Sequence, residues 1–141
     1  MSASGALVII SCTESDARID PSRYFNLSAN SASVVKTNGG RTTDAVTSLY
    51  SIDQSTRIGM IVIVQHTECA ATTGDVDTNV REDITALKSS PYLRHDIPII
   101  GYKLDAASGQ LKEVYVPRNG EDEETRRRVL SQMDDFGPFW S

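Results

Sequence analysis

The stretch Met60–Cys69, MIVIVQHTEC, decides how this chain is read. Five consecutive apolar residues, Met60 to Val64, are rich in β-branched side chains and too few for a helix. They predict a strand buried on both faces. Gln65 ends the run, and His66 and Cys69 follow as an i, i+3 pair at the strand's carboxyl end, where open α/β sheets bind their ligands. A neutral imidazole and a thiolate at that spacing can grip one zinc ion from a single turn. The competing reading is a buried cysteine beside an incidental histidine. A second strand that ends in the same way favours the metal.

That strand is Ala6–Cys12, ALVIISC, again an unbroken apolar run that stops at a polar turn. Val34 and Val35 mark a short further strand. Ile97–Leu104 and Lys112–Val116 predict two more, and the intervening DAASGQ suits the turn of an antiparallel hairpin. Helical spacing fills the gaps. Pro21 fits the first turn of a short helix carrying Tyr24, Phe25 and Leu27. Thr42 or Thr43 can cap a helix with Ala45, Val46, Leu49, Tyr50 and Ile52 on its apolar positions. A third helix spans Asn79 to Lys88, with Val80, Ile84 and Leu87 on one face, and Pro91 ends it. The order β-α-β-α-β-α-β-β predicts an α/β fold: a mostly parallel sheet of about five strands with one antiparallel edge and helices on both faces.

At 141 residues the chain is expected to form a single domain, residues 1–141. A formal charge of −5 argues against nucleic acid or an anionic membrane as the main partner. No apolar run approaches a membrane span, and the start MSASGALVII lacks the basic flank of a signal peptide, so a cytoplasmic protein is expected. In that compartment the two cysteines point to metal binding or catalysis rather than a disulfide, and the sequon Asn26-Leu27-Ser28 carries no meaning. In the tail, 121–141, EDEETRRRVLSQM reads as a helix with acid first and base later, matching the helix dipole. Four acidic residues precede Arg126 to Arg128, so a solvated helix face is favoured over a nucleic-acid surface. Phe136, Phe139 and Trp140 predict that this tail docks on the body or on another subunit.

Two parallel strands thus deliver Cys12 and the His66/Cys69 pair to the same end of the sheet. Three protein ligands with an open fourth position is the arrangement of a catalytic zinc site. Asp16 and Arg18, at i, i+2 in a turn, can pair, since the arginine's planar fork suits a carboxylate; otherwise they are a surface ion pair of little weight. Asn38-Gly39-Gly40 reads both as a strand-to-helix turn needing positive φ and as a wall of the pocket. His95 reads as a solvated loop residue and Glu68 as a surface carboxylate.

At these residues the chain resembles the β-class carbonic anhydrases, especially their short fungal and bacterial members, which include carbonyl sulfide hydrolases. That family ends its first strand with a Cys, then carries an Asp-x-Arg dyad, an Asn-Ala-Gly-Gly turn and a His-Thr-Asp-Cys-Gly segment. The matching pieces here are Cys12, Asp16-Ala17-Arg18, Thr37-Asn38-Gly39-Gly40 and His66-Thr67-Glu68-Cys69-Ala70, within a resemblance spanning residues 6–116. The resemblance implies one Zn2+ per chain on Cys12, His66 and Cys69. It implies that Asp16 aims the nucleophile and Arg18 holds Asp16, with Asn38, Gly39 and Gly40 at the substrate pocket. It further implies a homodimer or homotetramer, and a small linear heterocumulene as substrate: carbon dioxide hydrated to bicarbonate, or alternatively carbonyl sulfide or carbon disulfide hydrolysed at the same zinc.

Three departures stand out. Cys12 and Asp16 are four residues apart where the family has two, so either two residues are inserted or Glu14 takes the first ligand position. Cys12 is preferred, because ALVIISC has the right length and thiolate suits zinc. Lys36-Thr37-Asn38-Gly39 replaces the family's Arg-Asn-Ala-Gly, and Ala70 replaces a glycine. Two rival readings remain: a phosphatase built on the Cys-x5-Arg spacing of Cys12 to Arg18, whose loop carries acids and no glycine, and a zinc-binding relative without catalysis.

Overall fold

The computed structural model describes residues 6–14, 17–25, 27, 32–69, 74–94, 96–114 and 116. Five strands, β1 (Ala6–Cys12), β2 (Ser33–Thr37), β3 (Ile58–His66), β4 (Ile99–Asp105) and β5 (Gln110–Val114), form one sheet in the order β2-β1-β3-β4-β5. All neighbours are parallel except β4 and β5, which make an antiparallel hairpin at one edge. This is the expected α/β architecture.

The central strands β1 and β3 are buried along their whole length, which their unbroken apolar runs require. Alternation splits them between two cores. Leu7, Ile9, Met60, Val62 and Val64 pack with Ile19, Tyr24 and Phe25 on one face. Val8, Ile10, Ile61 and Ile63 pack on the other, against Leu49 of α1 (Val46–Ser55) and Val80, Ile84 and Leu87 of α2 (Val76–Ser89). Each such Leu or Ile contributes roughly 1.5–3 kcal/mol by its burial. Both faces therefore carry helical elements. On the first face they are the 3-10 turns Ala17–Ile19 and Pro21–Arg23, replacing the short helix expected after Pro21. Gly101 lets α2 lie close on β4, since a Cβ there would collide with the Val80 and Ile84 side chains.

Several boundaries move for local reasons. β3 runs on through Gln65 and His66, because both still pair with β4. Neither Thr42 nor Thr43 caps α1. Its N-cap is Ala45, without a side-chain cap bond, because a turn closed by Ala45 N–H on the Thr42 carbonyl (2.9 Å) comes first. α2 begins at Val76, ahead of Asn79, because the Asp75 carboxylate accepts from Thr78 N (3.0 Å) and Thr78 Oγ1 (2.9 Å). β4 starts only after Pro98, which has no N–H for the ladder but still accepts from Ile61 N at 3.0 Å. β5 starts at Gln110, because Gly109 (φ 77) turns the hairpin early.

Asp16, Asn26, Ser28, Ala70, His95 and the tail 121–141 lie outside the described residues. Among the described residues no helix is long and apolar enough to cross a membrane.

Candidate metal centre

β1 and β3 are parallel neighbours in register Ile10↔Ile63, so their carboxyl ends emerge side by side. Cys12 is the last residue of β1 and His66 the last of β3. Glu68 then adopts φ +59, a left-handed conformation uncommon for a non-glycine residue, in the turn that leads to Cys69. The two sulfurs stand 3.8 Å apart as free thiols.

His66 is oriented by its neighbour. Nδ1 lies 2.7 Å from the Thr67 carbonyl, which can only accept, so the ring proton sits on Nδ1 and the Nε2 lone pair faces the cysteines. Thr67 is itself tied to the end of β4: its N–H donates to Leu104 O (3.0 Å) and its Oγ1 accepts from Ala106 N (2.9 Å). Nε2 is buried and has no hydrogen bond among the described residues. Glu14 Oε1 stands 3.4 Å from it without hydrogen-bond geometry.

Cys12, Glu14, His66 and Cys69 thus form a cluster whose donor atoms all lie within 4.8 Å of one another. Burial pushes the Cys12 thiol above its ordinary pKa, and the nearby Cys69 thiol adds to the rise. Backbone N–H groups of Glu14 (3.4 Å from Sγ) and Gly39 oppose it. One buried and one half-buried sulfur, with an imidazole lone pair that has no hydrogen bond among the described residues, make a site whose charge a cation completes. The set fits zinc: two Zn–S bonds of about 2.3 Å in a tetrahedron set the sulfurs about 3.8 Å apart, the spacing found here.

Gly39 (φ 67) and Gly40 (φ 70) form the Asn38–Gly40 turn against these strand ends. A Cβ on Gly40 would stand 2.7 Å from Val64 O and 3.6 Å from Cys12 N, so only glycine fits. Asn38 is exposed. Arg18 is anchored at the same rim, with Nη1 donating to Ala106 O (3.3 Å) and Nη2 standing 3.9 Å from Glu68. Tyr24 Oη donates to the Arg18 carbonyl at 2.7 Å.

Two features escaped the sequence reading. Glu68 is a turn residue and an Arg18 partner, beyond a plain surface carboxylate. Behind the centre lies a buried polar knot: Gln65 Nε2 donates to Asp83 Oδ2 (2.7 Å) and to Gly40 O (3.3 Å), and Arg41 Nε donates to the same Asp83 oxygen at 2.7 Å. A polar Gln65 closing an apolar strand was its only sequence signal.

No protein-family model matches the chain, and no curated protein does. Solved structures match it well. The carbonic anhydrase of Streptococcus mutans superposes with a TM-score of 0.70 at 26% identity, over 81% of this chain and 84% of that one. A carbon disulfide hydrolase in its apo form gives 0.64 at 16% identity, over 85% and 84%. Tetrameric β-carbonic anhydrases of Sordaria macrospora give 0.56 at 16%, over 82% and 83%. The last two likenesses are of fold alone. The resemblance to β-carbonic anhydrases, first seen in short motifs, thus extends to the three-dimensional fold.

Proposed function

We propose that this chain is a zinc enzyme of β-carbonic anhydrase type that hydrates carbon dioxide to bicarbonate, acting as one domain within a homodimer or homotetramer. The observation that carries the reading is the convergence of Cys12 Sγ and Cys69 Sγ, 3.8 Å apart, with His66 Nε2, which has no hydrogen bond among the described residues. The likeness to the Streptococcus mutans enzyme supports the reaction, and the tetrameric Sordaria macrospora enzymes support the assembly.

Cys12, His66 and Cys69 would hold the zinc ion, which when bound would make a nucleophilic hydroxide available near neutral pH by lowering the pKa of water to about 7. The chain's own residues do the rest. Thr67 fixes the His66 tautomer and ring angle, the outer-shell support that keeps a ligand basic and aimed. Asp16, by resemblance, accepts the nucleophile's hydrogen bond and so directs its lone pair at the substrate carbon. Arg18, whose Nη1 donates to the Ala106 carbonyl, would by the same resemblance hold Asp16 in that role. The Gly39–Gly40 backbone packs against the strand ends beside Cys12, and by resemblance this turn borders the substrate.

The test pairs elemental analysis with gas turnover. One zinc per chain and rapid hydration of carbon dioxide are expected. Carbonyl sulfide is assayed beside it, and turnover of the sulfur gas alone assigns the alternative substrate. A folded chain that binds no divalent metal overturns the reading.

A further inference from the structure

Resting on the zinc reading above, we propose that Thr67 is a positioning residue whose hydroxyl ties the metal ligand His66 and the rim arginine Arg18 to one shared anchor, the backbone of Ala106. In the sequence Thr67 is a spacer between His66 and Glu68, and DAASGQ is a hairpin turn. The fold joins the two into one strut.

Ala106 uses both of its backbone groups. Its N–H donates to Thr67 Oγ1 at 2.9 Å, and its carbonyl accepts from Arg18 Nη1 at 3.3 Å. The turn that carries it is closed on itself: the Asp105 carboxylate accepts from Ala107 N (3.0 Å), and Gly109 N–H donates to Asp105 O (2.8 Å). Such a turn is a firm base for what it holds.

Thr67 is gripped at two points. Its N–H donates to Leu104 O (3.0 Å), which continues the β3–β4 ladder one residue past His66, and its Oγ1 takes the Ala106 N–H. The Thr67 peptide is thereby fixed in direction, and its carbonyl meets His66 Nδ1 at 2.7 Å. Arg18 is held from the other side. Tyr24 Oη donates to its carbonyl at 2.7 Å, and Glu68 Oε1 stands 3.9 Å from Nη2. Arg18, Ala106, Thr67 and Glu68 so close a ring between the 3-10 turn Ala17–Ile19 and the end of β3. The Arg18 and Glu68 side chains are 46% and 56% exposed, so water weakens that pair, and the Thr67 hydroxyl carries more of the coupling.

Valine keeps the shape of threonine and deletes the acceptor. Ala106 is 3% exposed, so its N–H would be left buried without a partner, a costly state. The turn must shift to relieve it, which draws the Ala106 carbonyl off Arg18 and frees the Thr67 peptide behind His66. One hydroxyl thus acts on both the metal ligand and the arginine, although Thr67 supplies no ligand atom itself.

The test compares Thr67→Val and Thr67→Ser with the parent chain in two readouts. In the metal-free proteins, NMR of the His66 ring nitrogens at alkaline pH reports the tautomer. The parent and the serine variant are expected to keep the proton on Nδ1, and the valine variant to populate both nitrogens. In the zinc-loaded proteins, kcat for carbon dioxide hydration is expected to fall roughly tenfold in the valine variant and to stay within about twofold of the parent in the serine variant. A lower melting temperature with tautomer and turnover unchanged would make Thr67 a stability residue and overturn the proposal. A serine variant as impaired as the valine variant would also overturn it, since the methyl group would then carry the effect. If the tautomer shifts as expected but the parent binds no zinc, the strut stands and the zinc reading falls. If the parent binds zinc and the valine variant matches it in both readouts, the strut falls and the zinc reading stands.

Discussion

Gln65 Nε2 donates to Asp83 Oδ2 at 2.7 Å, so the residue just before His66 is bolted to the middle of α2. Asp83 is 3% exposed and accepts from Arg41 Nε on the same oxygen, while Gln65 also donates to the Gly40 carbonyl. One buried carboxylate thus joins the end of β3, the glycine turn and a helix.

Asp83→Ala is therefore expected to cost about 2–3 kcal/mol of stability, since it strands a buried amide and a half-buried guanidinium. Asp83→Asn keeps the shape and loses the charge, and should cost less. Urea unfolding of the metal-free proteins measures both. Zinc affinity should fall alongside, because Gly40 and His66 lose a shared support. Equal stability of the alanine variant and the parent would remove the knot from the account.

The glycine turn yields a comparison between two sites of similar φ. Gly40 (φ 70) has no room for a Cβ, whereas Gly109 (φ 77) has nothing within 4 Å of one. Gly109→Ala pays only for the left-handed backbone, about 1–2 kcal/mol. Gly40→Ala adds a clash with the Val64 carbonyl, so it should be clearly the worse of the two in thermal unfolding. It should also weaken zinc binding, which Gly109→Ala should leave alone.

The sheet was legible because β1 and β3 are buried on both faces, which writes them as apolar runs that few other structures tolerate. Cys12, His66 and Cys69 were legible because strand ends in a parallel sheet point one way. Glu14 was seen only as a rival to Cys12, since spacing in one dimension cannot show that a tight turn brings residues 12 and 14 to one point. The Asp83–Gln65–Arg41 knot was hidden because its members are far apart in sequence and each looks like an ordinary surface residue. The cap of α1 and the start of α2 were misplaced for a similar reason: local spacing alone does not show which turn precedes a helix, and tertiary context decided it.

Acid should attack the opposite end of the sheet. Arg94 binds the Asp53 carboxylate with Nε and Nη2 (3.0–3.3 Å) and also donates to the Ile58 carbonyl, where β3 begins. Hydrogen bonds from Arg94, assisted by the Ile58 N–H, hold the Asp53 pKa below its ordinary value, against an opposing effect of burial. A folded pKa below the unfolded one, about 3.9, gives stability that is fully present above that value. It is lost as pH falls through the folded pKa. Asp53→Asn should therefore lower stability at pH 7 and flatten the loss below about pH 4. Asp20 and Asp75, both lowered by bonds from Ser22 and Thr78, should leave part of that loss in place. A variant whose acid limb matches the parent's would show that Asp53 does not contribute to it.

Metal removal gives the most direct readout of the centre, because binding to the folded state alone must stabilise it. Free zinc at a hundred times its dissociation constant is expected to add about 2.7 kcal/mol to unfolding. That increment should vanish in His66→Ala and Cys69→Ser, whose remaining donors cannot complete the set. Thiol chemistry supplies an independent check. Cys12 is 1% exposed, and burial keeps its thiol protonated, so in the metal-free chain it should react slowly with a disulfide reagent. Cys69 is only partly buried and should react first. Zinc should protect both, and equal labelling of the two thiols with and without the metal would place the ion elsewhere.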